Sequence, residues 1–224
     1  MEMIEFLKNN FLHVAPILIS GAFAAIIMME RYKTLYQTYH LENGEEFLNQ
    51  VKNLVAKGKY NEALAICLQY HGKPTAEIVK AGLERAHQPE ELVINSIEMA
   101  RNRLAEKIQK RTNYLATIAN VATLLGLLGT IAGLIESFAA VGHADPQQKA
   151  ALLANGISTA MNATMLGLAV AVPCMIVFSF FINKANQLIA EVEAGGMTIH
   201  DSLQLHHLGN NDSSESLEER RKVS

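Results

Sequence analysis

Charge is what this sequence has least of. Only 18% of its 224 residues are Asp, Glu, Lys or Arg, against the rough quarter usual for a soluble domain. The deficit is local, because residues 11–29, 114–135 and 150–183 contain none of the four. Each stretch is long enough to cross a hydrocarbon core, which takes about 20 apolar residues in a helix. The competing reading, a soluble bundle of helices buried on all sides, rarely sustains charge-free runs of this length. A positive leader is also lacking: Glu2 and Glu5 face a single Lys8. The Ala22-Phe23-Ala24 triplet therefore reads as part of an uncleaved span rather than a signal-peptide cleavage site.

Other absences narrow the function. There are two cysteines. Cys67 falls between the first and second spans and Cys174 inside the third, so they read as separate buried thiols. No catalytic constellation and no metal-spaced cluster is present, and no internal repeat of the alternating-access kind, which argues against an enzyme, a cofactor or metal protein, and a solute transporter. A net charge of −3 offers nothing to a nucleic acid.

What charge there is sets the orientation. Of 19 Lys and Arg, all but Lys8 and Lys149 lie from Arg31 to Arg111 or from Lys184 onward. By the positive-inside rule the N-terminus and the 142–149 loop face out, and the long loop and tail face the cytoplasm. The expected organisation is a short periplasmic segment 1–10, spans at 11–30, 112–141 and 150–183, a cytoplasmic helical domain at 31–111, a periplasmic loop at 142–149, and a cytoplasmic extension with a disordered tail at 184–224.

Within the long loop, apolar residues recur at helical spacing from Glu45 to Ala56, through Ala63–Leu68, and from about Thr75 to Ala86, separated by Lys57-Gly58-Lys59 and His71-Gly72-Lys73-Pro74. These faces can pack as a small bundle. From Pro89 to Val141 no turn signal appears, which predicts one continuous helix of about 80 Å joining that bundle rigidly to the second span. Asp145-Pro146 reads as the start of the third long helix, Pro173 as a kink within it, and Gly195-Gly196 as its end. Beyond that, His200, His206 and His207 allow either a metal site or an unstructured polar tail.

Three glycines in the second span, Gly126, Gly129 and Gly133, would each cost about 1 kcal/mol against alanine in a soluble helix. In lipid they let another backbone approach closely. Thr123, Thr130 and Ser137 share a seven-residue spacing with Asn113 and Asn120 alongside, and the third span carries Asn155, Ser158, Thr159 and Asn162 within two turns. Any one of these could bond the carbonyl of the preceding turn. Together they suggest a hydrated path or a polar partner helix. Thr164 lies about 200° around the helix from Asn162, so not all can face one lumen. Glu136, the lone acid among the spans, suits an interfacial carboxylate or a proton-relay group, and His13 is similarly ambiguous.

Leu124-Leu-Gly-Leu-Leu-Gly-Thr-Ile-Ala-Gly133, followed by Gly156-Ile-Ser-Thr-Ala-Met-Asn-Ala-Thr-Met-Leu-Gly-Leu-Ala-Val-Ala-Val-Pro173, resembles the paired signature of the MotA/TolQ/ExbB proton-channel family. Gly58–Cys67 and Val79–Ala86 resemble that family's cytoplasmic loop, and three spans resemble its TolQ/ExbB branch. The resemblance implies an all-α membrane protein forming a homopentamer around a central pore, in a bacterial inner membrane, with two copies of a single-span ExbD/TolR-like partner carrying a membrane aspartate. It also implies a proton-path role for Thr130 and Thr164, with Thr159, Asn162, Thr123 and Asn120 as further pore-lining candidates and Gly126, Gly129, Gly133, Gly167 and Pro173 as packing positions. Two departures stand out: Thr159 occupies the place of a third-span glutamate in ExbB and TolQ, and Thr123 that of a proline in many relatives. A non-conducting membrane scaffold of the same fold is the alternative.

Overall fold

A computed structural model describes residues 11–142 and 144–222, with side chains described from 14 to 206. The segment 1–10, His143, and the side chains of His13 and His207 lie outside the described residues, so the expectations placed there concern nothing described below. Among the described residues every regular element is helical. In order they are α1 (Phe11–Tyr32), a π-helical turn (Lys33–Thr38), α2 (Gly44–Ala56), α3 (Tyr60–Gln69), α4 (Pro74–Leu83), α5 (Glu90–Gln109), α6 (Thr112–Gly142) and α7 (Lys149–Lys222). The chain divides into two compact units, one of 1–32 and 111–182, the other of 33–110 and 183–224.

The first unit holds three helices long and apolar enough to cross a membrane. Their inward faces are small or aliphatic: Val14, Ile17, Ala24 and Ile27 on α1, Leu115, Ala119 and Ala122 on α6, Ala160, Ala163 and Ala171 on α7. Their outward faces are apolar too, with Phe23, Leu124, Ile135, Met161 and Phe180 all more than 60% exposed. A water-soluble bundle does not present contiguous apolar faces of this size, whereas helices solvated by lipid do. The protein is a multi-pass membrane protein.

The second unit is built on a different pattern. Phe47, Val51 and Val55 form the buried face of α2, and Phe47 meets the Tyr70 ring edge-on at 5.1 Å. The middle helix α4 is buried along nearly its whole length, with α3 and α5 against it. The distal part of α7 completes the bundle through Ala185, Leu188, Val192, Ile199 and Leu203. Lys73, just before Pro74 opens α4, donates to the carbonyls of Gln37 (3.2 Å), in the last turn of the π-helix, and of His40 (2.6 Å), just beyond it.

Three expectations are corrected. The helix expected over 89–141 is interrupted at Lys110-Arg111, where Arg111 has φ 64°. A non-glycine residue there is disfavoured by about 1–2 kcal/mol. Its guanidinium is held by both Glu30 carboxylate oxygens, at 2.6 and 2.7 Å, an interaction no local sequence pattern could announce. Next, α7 does not end at Gly195-Gly196. These glycines let Thr75, Ile78 and Ile97 lie against the helix backbone, and with no later proline α7 runs on to Lys222, where a disordered tail was expected. His200 and His206 therefore lie on a packed helix: His200 meets Glu90 at 3.2 Å and His206 the Tyr60 hydroxyl at 2.9 Å. Finally, the start signal Asp145-Pro146 makes a turn, closed by Gln148 N–H on the Asp145 carbonyl (2.9 Å), and α7 begins at Lys149.

Candidate functional site

The polar candidates converge where α6 meets α7. The two helices run antiparallel, and small residues face each other down the seam: Gly126 with Gly167, Gly129 with Ala163, Gly133 with Ala160, Ser137 with Gly156. Backbone approaches backbone most closely at the first pair. A Cβ placed on Gly167 would stand 2.7 Å from the Ala122 carbonyl oxygen and 2.9 Å from Gly126 Cα, well inside the ~3.5 Å at which carbon atoms rest. Both obstacles are backbone, so no side chain can swing aside. Helix α1 adds a second layer: Val14 packs on Ala163, and a Cβ on Gly21 would come 3.2 Å from a Val170 methyl.

This proximity brings four oxygens together. Thr130 Oγ1 lies 3.1 Å from the Gly126 carbonyl of its own helix and 3.3 Å from the Ala160 carbonyl of α7. It also bonds Thr164 Oγ1, which in turn lies 3.2 Å from the Gly126 carbonyl. Two hydroxyl protons thus serve a group of two hydroxyl and two carbonyl oxygens, neutral throughout. Such a group can exchange which hydroxyl donates without creating a charge in lipid, where an ionised side chain is costly.

The other candidates are more scattered. Thr123 and Ser137 donate to the carbonyls one turn back, Ala119 (3.0 Å) and Gly133 (2.6 Å). Asn120 and Thr123 are exposed on α6, Thr159 and Asn162 half-buried on α7, and Glu136 exposed toward the end of α6. Pro173 sits inside α7, which continues through it. Sequence reasoning missed Gly156 as a partner of Ser137, although the signal was available. Gly156, Ala160, Ala163 and Gly167 repeat at intervals of four, three and four, which puts small residues on one face of α7.

A model of the MotA/TolQ/ExbB proton channel family matches residues 71–194. The chain belongs to that family. Its matched region takes in α4, α5, α6 and the part of α7 that faces α6. Three similar proteins are an ExbB homolog from Methanothermobacter thermautotrophicus, a biopolymer transport protein ExbB from Aquifex aeolicus and a Tol-Pal system protein TolQ from Haemophilus influenzae. The first is 29% identical over 174 residues, 77% of this chain and 60% of the relative. The second is 33% identical over 91 residues, 41% of this chain and 61% of the relative. The third is 32% identical over 95 residues, 42% of this chain and 41% of the relative. The chain thus spans between 41% and 61% of the length of these relatives.

Proposed function

We propose that this protein is the pore-wall subunit of a proton-driven motor in a bacterial inner membrane, with its N-terminus outside and its C-terminus in the cytoplasm. Five copies surround a lumen that holds two single-span partners of the ExbD/TolR type, and the partner's membrane aspartate is the group that takes up and gives off the proton. Helices α6 and α7 form the wall and α1 packs behind them. The work delivered is envelope transport, envelope maintenance or motility. Moving one charge down 100 mV releases about 2.3 kcal/mol, enough to drive a step between two packed arrangements.

The observation that carries this reading is the neutral hydroxyl group of Thr130 and Thr164 on the Gly126 carbonyl. Threonine can donate to the partner's carboxylate and accept from its carboxylic acid, so it serves both protonation states without titrating. Proton uptake by vesicles holding the chain with its partner tests it. Thr130→Val with Thr164→Val should cut the flux at least tenfold while the complex still assembles. Equal flux would end the conduction role of this pair.

A second reading, a non-conducting scaffold, draws on the neighbouring hydroxyls, since Thr123 and Ser137 spend their protons on their own helix. In that case the wild-type complex itself would pass no protons.

A further inference from the structure

At the end of the first unit two irregularities meet. Arg111 is the one described non-glycine residue with positive φ, at 64°. The next residue, Thr112, is fully buried, and its hydroxyl has no hydrogen-bond partner. Both features are unfavourable locally, and both would vanish if the helix ran on without interruption: Arg111 would take ordinary helical angles, and Thr112 could bond the carbonyl one turn back. Something outside the local sequence therefore holds the break open. The group positioned to do so is Glu30, near the end of α1, whose two oxygens both bind Arg111 Nη1, at 2.6 and 2.7 Å. Both carboxylate oxygens converge on that one nitrogen, so this charge-assisted pair fixes the place of the guanidinium's Nη1 end.

We propose that Glu30 and Arg111 form a clasp that holds the first turn of α6 open, a strained joint whose alternative state is an uninterrupted helix through residues 110–112. The clasp links α1 to the start of the helix that bears Thr130, so releasing Glu30 changes how α6 begins without touching the α6–α7 seam. The inference rests on backbone geometry and the ion pair, and stands whether or not the threonines conduct.

Glycine separates strain from ion pairing, because it adopts positive φ freely and resists helix, whereas alanine does the reverse. The experiment is backbone amide deuterium uptake at Thr112 and Asn113 in the full chain in lipid nanodiscs. These first-turn amides lack a partner within their helix and should exchange quickly in the wild type. Arg111→Gly should keep them fast. Arg111→Ala and Glu30→Gln should slow them at least tenfold as the helix closes. Equal exchange in the Ala and Gly variants overturns the proposal, and so does wild-type exchange in Glu30→Gln. The Glu30 variant leaves residue 111 intact and decides the matter even where Arg111→Ala does not fold.

Discussion

Replacing Gly167 by alanine puts one methyl group where two helix backbones touch. The added Cβ meets Gly126 Cα at 2.9 Å and the Ala122 carbonyl oxygen at 2.7 Å. Restoring ordinary contact requires α6 and α7 to part by roughly 0.7 Å. The Thr164 hydroxyl, now 3.2 Å from the Gly126 carbonyl, would then stand close to 4 Å away, beyond any hydrogen bond. Overpacking costs about 1–3 kcal/mol, and an interhelical hydrogen bond in a membrane is worth about 0.6 kcal/mol on average. The gain in helix propensity from glycine to alanine returns up to about 1 kcal/mol. The net loss is about 1.5 kcal/mol, with proton flux falling in parallel as the hydroxyl pair separates. Reversible unfolding in mixed micelles measures the first and vesicle uptake the second. Gly142→Ala is the control, because nothing lies within 4 Å of that position. A Gly167→Ala protein as stable as the wild type, with full flux, would refute the claim that this contact sets the site.

Three further outcomes follow from other parts of the structure. Burial pushes the Cys67 thiol up to about 11, so at pH 8 it should react with iodoacetamide about 100-fold more slowly than a thiol at the ordinary 9.0. The unfolded chain gives up this proton first as pH rises past that value, so Cys67 should reduce stability progressively between pH 9 and 11, seen as a falling melting temperature whose slope Cys67→Ser makes shallower. Gly156→Ala collides with the Ser137 side chain and should destabilise the seam, with Ser137→Gly restoring it in the double variant. In the second unit, Phe47→Ala removes a side chain 1% exposed and should cost about 3–5 kcal/mol in chemical denaturation, lowering stability without moving the α6–α7 hydroxyls.

The sequence was most legible where one solvent imposed one rule. Scarcity of charge marks the three spans, because an ionised side chain is costly in lipid, and the 3.6-residue rhythm of Phe47, Val51 and Val55 marks α2 because water lies on its other side. The glycines of α6 could be read as a close contact since no soluble role suits them. Long-range interactions were illegible. Arg111 belongs to a run of charged residues with ordinary helix propensity, and the Glu30 carboxylate that holds it lies 81 positions earlier. Gly195-Gly196 looked like a helix end because glycine usually is one, yet here the missing side chains make room for Ile78 and Ile97. In the site, periodicity brought out Thr123, Thr130 and Ser137 as one line but could not say that only Thr130 meets a hydroxyl from α7.

The account depends on the polar sides of α6 and α7 facing water in the assembled complex while their apolar sides face lipid. Single cysteines introduced at Asn120 and Asn162, and at the exposed apolar residues Val121 and Leu168, which lie about 100° and 120° around the helix from them, in a chain with Cys67 and Cys174 replaced by serine, test this through labelling by a small water-soluble thiol reagent in membranes. The account predicts rapid labelling at Asn120 and Asn162 and none at Val121 and Leu168. Labelling at the two apolar positions, with Asn120 and Asn162 protected, would contradict it.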